Sequence, residues 1–62
     1  MKYLVMCKES YDVIEYCNSI KEGWQLVEQY EQQDMAEGIY TCDFYTVGIE
    51  DAEGVRVEVD SM

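Results

Sequence analysis

The chain reads as a single α+β domain, residues 1–62, of plan ββαββ: an antiparallel sheet with one helix packed on one face. Three observations predict it. Short β-branched and aromatic runs with period-two alternation occupy both halves of the chain. Between them an apolar stripe recurs at helical spacing over residues 20–33. Hairpin-length connections flank that helix, and connection rules then favour the sheet order 2-1-3-4.

Residues 2–8 form the first strand, and the polar Lys8, Glu9 and Ser10 suit a hairpin connection. Residues 11–17 alternate, with Asp12, Ile14 and Tyr16 on one side and Tyr11, Val13, Glu15 and Cys17 on the other. Ser19, followed three residues on by Glu22, is a capping box that opens the helix. Ile20, Gly23, Val27 and Tyr30 then share a face flanked by Trp24 and Leu26. Gly23 costs such a helix about 1 kcal/mol relative to Ala, so a close approach to the sheet is expected there. The stripe fades after Gln33, and Gly38 suits the left-handed residue that ends the segment. Residues 39–50 read as one long strand, with Tyr40, Cys42, Phe44 and Thr46 on one side and Ile39, Thr41, Asp43, Tyr45 and Val47 on the other. Gly48 marks a bulge or twist near its end, residues 50–54 turn at Gly54, and residues 55–59 alternate as a last strand.

One helix covers one face of a four-stranded sheet, so the other face is expected to be open. Carboxylates are costly to bury without partners, and Glu15 and Asp43 therefore mark the open side. This places Ile14, Tyr16, Tyr40, Cys42 and Phe44 beneath the helix. It leaves Tyr11, Val13, Asp43, Tyr45 and Val47 outward, as a candidate interface for a homodimer with a small-ligand site between subunits. Solvation of that face is the competing reading, since antiparallel sheets often keep one wet face.

Charge bounds the function. Fourteen Asp and Glu oppose four Lys and Arg, for a net charge of −10, and there is no His. Direct nucleic-acid binding is disfavoured, because it needs Lys and Arg against phosphates. Anionic membranes repel such a chain, and no apolar stretch is long enough to span one. A nucleophilic Ser or Cys has no ordinary base and no Gly-rich loop precedes a helix, so neither catalysis nor a cofactor is expected. Cys7, Cys17 and Cys42 are odd in number, lack a closely spaced pair and fit reduced thiols in a cytoplasm. The acidic run at residues 50–54 departs from a calcium loop at Ile49, which cannot ligate, so no metal site is expected.

The acids themselves carry the functional reading. Glu28, Glu31, Asp34 and Glu37 recur every third residue along the helix, and Glu50, Asp51 and Glu53 form a second cluster. Glu58 and Asp60 form a third. Rows of carboxylates at a spacing of several ångströms can stand in for the phosphates that a basic groove expects. In size, charge, aromatic content and strand–helix plan, the chain resembles the small acidic inhibitors of bacteriophages and mobile elements, such as DNA-mimicking anti-CRISPR and anti-restriction proteins. That resemblance implies a host-cytoplasmic inhibitor that occupies a basic, nucleic-acid-handling site on a defence or regulatory protein. It carries no family motif and assigns no residue roles.

Overall fold

The computed structural model describes residues 1–59. Its elements are β1 (Lys2–Cys7), β2 (Val13–Cys17), α1 (Ile20–Glu37), β3 (Tyr45–Glu50) and β4 (Arg56–Glu58). All strand pairs are antiparallel and the order is β2-β1-β3-β4, as the hairpin and crossover lengths predict. Asp60 lies outside the described residues.

The ends of α1 are fixed by its own sequence. Ser19 Oγ accepts the Glu22 amide at 3.1 Å, satisfying one of the free donors of the first turn. Glu22 reaches back to the Asn18 amide at 2.7 Å, one residue beyond the Ser19 amide of an ideal capping box. At the other end Gly38 adopts φ 77°, and the amides of Gly38 and Ile39 close onto the carbonyls of Met35 and Asp34. The helix therefore runs to Glu37, four residues past the point where its apolar stripe fades.

The two central strands are the best buried: Leu4, Val5 and Met6 of β1 and Val47 of β3 are fully enclosed. Under the helix, Val5, Val27 and Val47 form the core, and Ile14, Trp24, Leu26, Tyr30, Tyr45 and Val59 pack around it. Gly23 is where α1 meets the sheet. A Cβ on Gly23 would lie 2.9 and 3.0 Å from the two Val47 methyls and 3.3 Å from Cys17 Sγ, so the close approach expected from the sequence is present.

Three expectations are corrected. The third strand begins at Tyr45 rather than Ile39, because residues 39–44 form a connection in which Asp43 takes φ 58°. Gly48 is not a bulge: the β1–β3 register passes through it unbroken, pairing Leu4 with Gly48. What it supplies is space, since a Cβ there would fall 2.5 Å from Met6 Cε. The bulge instead lies in β2, where Ile14 is the extra residue between Glu15, paired with Val5, and Val13, paired with Met6.

The third correction concerns the sheet faces, where Ile14 lies beneath the helix and Val13 on the far face as expected but their neighbours do not. Tyr45 and Val47 lie beneath the helix, as do Glu15 and Cys17, whereas Tyr16 lies on the far face. Tyr40, Cys42 and Phe44 are exposed and belong to no strand. The far face is not a bare apolar surface. Over the buried Leu4 and Met6 run Tyr16, Glu50 and Arg56, joined by hydrogen bonds, with the Lys2 ammonium 5.3 Å from the Tyr16 ring centroid.

Candidate functional site

The expected acidic residues divide into those the fold consumes and those it leaves free. Asp34 is consumed: it accepts the Tyr45 hydroxyl at 2.6 Å, which ties the last turns of α1 to β3. Glu50 is consumed as well. It is 8% exposed, pairs with the Arg56 guanidinium at 3.2 Å and accepts the Tyr16 hydroxyl at 3.1 Å. Asp51 caps its own turn, accepting the amides of Glu53 and Val55 at 2.9 and 3.0 Å. Glu28, Glu37 and Glu53 remain exposed and Glu31 is half-buried. The weak amide contacts to Glu28 from Gln32 and to Glu37 from Gln33 leave both carboxylates available to solvent.

Of the candidate sheet interface, Val47 is buried beneath the helix and Tyr45, also beneath it, is half-buried and open only at the edge of the layer. Val13 pairs with Met6 on the far face at the β2 edge, Tyr11 sits in the β1–β2 connection with φ 63°, and Asp43 is in the loop before β3. These five residues form no common surface. Glu15, expected to mark the open side, stays exposed on the helix side and accepts the Tyr30 hydroxyl at 2.6 Å.

What the fold brings together is a cleft along one flank of the helix–sheet layer. Trp24, Val27, Glu28 and Glu31 of α1 form one wall, and Tyr45, Thr46, Glu58 and Val59 of the sheet form the other. Lys8 and Asp43 complete the lining, and the space is about 620 Å³. Its character is mixed: indole, phenol and valine surfaces below, four carboxylates and one ammonium around them. Among the described residues the one ion pair is Arg56–Glu50, so these four carboxylates have no cationic partner there. The Glu58 carboxylate accepts the Thr46 hydroxyl at 2.8 Å. Because Thr46 pairs with Met6 and Glu58 with Gly48, both side chains lie on the far face, so Glu58 borders the cleft without turning its carboxylate to the helix.

Tyr45 also borders a second, shallower depression lined by Asp34, Ile39, Thr41 and Phe44. Around it the chain leaves Met35, Ile39, Tyr40 and Phe44 largely exposed, an apolar and aromatic patch at the C-terminal end of α1. Phe44 packs edge-on against Tyr45, with ring centroids 5.0 Å apart.

Sequence reasoning missed Trp24, Lys8 and Asp43 as neighbours of the helix acids. Trp24 reads from its spacing as an ordinary flank of the core stripe. Asp43 reaches the cleft through a left-handed loop residue, for which residues 39–47 carry no glycine signal.

The three cysteines are free. Cys7, half-buried at the end of β1, has its thiol held below its ordinary range by the Ser10 amide, then by the Ser10 hydroxyl and the Glu9 amide. Cys17 is pushed the other way by burial under the helix. No helix is long and apolar enough to cross a membrane among the described residues. Comparison with protein-family models, curated proteins and solved structures finds no match to this chain.

Proposed function

We propose that this chain is a small acidic protein-binding module that blocks a basic, nucleic-acid-handling site on a host defence or regulatory protein. It acts as a binder and not as a catalyst. One observation carries the reading: Glu28, Glu31 and Asp43, none of them paired with a cation among the described residues, line one aromatic-lined cleft of an ordered scaffold, with Glu58 at its rim. The exposed patch of Met35, Ile39, Tyr40 and Phe44, which shares Tyr45 with that cleft, supplies dry contact area beside the charge.

Charge placement along α1 supports the same conclusion. The last turn carries acids and no basic residue, so Glu37 faces the negative end of the helix dipole. Each such carboxylate is disfavoured by about 0.3–1 kcal/mol. Local rules broken without local compensation are expected where a surface serves a partner. A solubilising role would be met equally well by acids at the helix N-terminus.

Free thiols fit action in a reducing cytoplasm, that of the host if the chain is phage-encoded. The test is capture of a partner at low salt followed by competition. Duplex DNA added to the complex should displace the protein, and affinity should fall steeply between low and moderate ionic strength. A ternary complex with DNA, or binding indifferent to salt, would sink the reading.

A further inference from the structure

The cleft between α1 and the β3–β4 side of the sheet has a chemistry that selects among cationic partners, and this deepens the reading above, on which it rests. We infer that the cleft receives an arginine side chain carried on an extended segment of the partner protein. Two features of the lining point to arginine. The Trp24 indole lines the cleft, and the Tyr45 ring, already stacked on Tyr30, borders it; a planar, weakly hydrated guanidinium stacks on aromatic surface where an ammonium keeps its water. Acidic residues stand on both sides, Glu28 and Glu31 on the helix and Asp43 in the loop before β3. A guanidinium has five donors in a fixed fork and can engage more than one of them.

Charge complementarity fixes the sign of the occupant. Four of the lining residues are acidic and one, Lys8, is basic, and no cation among the described residues pairs with any of the four. A second copy of this chain, at net −10, is a poor occupant. Size argues for more than a free amino acid. A space of about 620 Å³ exceeds one side chain and accommodates flanking backbone as well. Val27 and Val59 supply apolar surface for the arginine methylenes.

Trp24 is the only tryptophan, so its fluorescence reports on this cleft directly. The full chain is titrated with acetyl-Gly-Arg-Gly-amide, with its neutral citrulline and lysine counterparts, and with free arginine. A saturable emission change is expected with the arginine peptide, at least about tenfold tighter than with citrulline and tighter than with lysine or free arginine. The double variant Glu28→Gln/Glu31→Gln should lose that preference, whereas Glu53→Gln, outside the cleft, should retain it. Asp43→Asn, which tolerates the same left-handed backbone, should weaken it on its own if the helix variant is poorly folded.

Equal responses to arginine and citrulline, or undiminished binding by both cleft variants, would overturn the assignment. Free arginine binding as tightly as the peptide would remove the protein-borne source. A flat peptide titration alongside salt-dependent, DNA-competed partner capture would sink the arginine cleft and leave the blocking function standing. Specific peptide binding without DNA competition would do the reverse.

Discussion

Tyr45 and Asp34 are joined by a 2.6 Å hydrogen bond in which a strand phenol donates to a helix carboxylate. A complementary bond runs the other way, from the helix phenol of Tyr30 to the strand carboxylate of Glu15, also at 2.6 Å. The two rings stack at 5.4 Å. Helix and sheet are thus pinned by two acids that would otherwise count only as surface charge.

These bonds make stability sensitive to alkali. The bond to Asp34, followed by burial, raises the Tyr45 hydroxyl from its ordinary 10.0 to about 12, and the bond to Glu15 raises Tyr30 in the same direction. A donor that stays protonated in the folded chain but ionises in the unfolded one stabilises the fold below the unfolded value. That contribution is fully present below pH 10 and is lost as pH rises towards about 12. Denaturant titrations of the native chain should show the midpoint falling across this window. Tyr45→Phe should lower neutral-pH stability by about 1 kcal/mol and flatten the alkaline dependence. An unchanged alkaline slope in the variant would refute the assignment.

Charge reversal along the helix row therefore needs care. Asp34→Lys should lower stability, whereas Glu28→Lys, in an exposed position, should leave the thermal midpoint nearly unchanged. Differential scanning calorimetry of the two variants separates the structural acid from the exposed one. Equal destabilisation would show that the division drawn between them is wrong.

Gly23 gives a prediction opposite in sign to helix propensity. Ala would favour the helix by about 1 kcal/mol, but its methyl would meet Val47 at 2.9 Å. Overpacking of this kind costs about 1–3 kcal/mol, so Gly23→Ala should be neutral to destabilising by chemical denaturation. Adding Val47→Ala should cost less in the Gly23→Ala variant than in the native chain, because the clash is then relieved. Simple additivity would mean the two positions do not collide.

On the far face, Arg56→Met removes the cation from a carboxylate that is almost enclosed. Glu50 would retain only the Tyr16 hydroxyl, and a loss of roughly 1–3 kcal/mol is expected, above the usual value for a surface ion pair. The pair Arg56→Met/Glu50→Gln should recover part of it. A thermal midpoint unmoved by the single substitution would place this pair among the inconsequential surface bridges.

Thiol chemistry should rank the cysteines. Cys7, stabilised as thiolate by the Ser10 and Glu9 amides, should alkylate at a lower pH than the half-buried Cys17, whose thiol is pushed up by desolvation. Peptide mapping after brief iodoacetamide treatment at several pH values reads this directly. Ser10→Ala should shift the Cys7 profile upward, and faster labelling of Cys17 would contradict the structure.

The amino-acid sequence by itself determined the element types, their order and the strand pairing, because period, capping residues and connection lengths are local quantities. Ser19, Gly38 and the packing role of Gly23 are all legible in this way. Tertiary structure alone decided which side of each strand is covered. Counting alternation through residues 39–44 carried the wrong phase into Tyr45 and Val47, since only those from Tyr45 onward are strand. The carboxylate rule failed at Glu15 because it equates the helix side with burial, whereas Glu15 stays exposed there and bonds to Tyr30, fifteen residues away and outside any local window. Likewise, four evenly spaced helix acids look equivalent on paper. Only the fold spends Asp34 on a tyrosine and sets Glu28 and Glu31 in one cleft with Asp43, because such meetings depend on long-range packing and not on spacing.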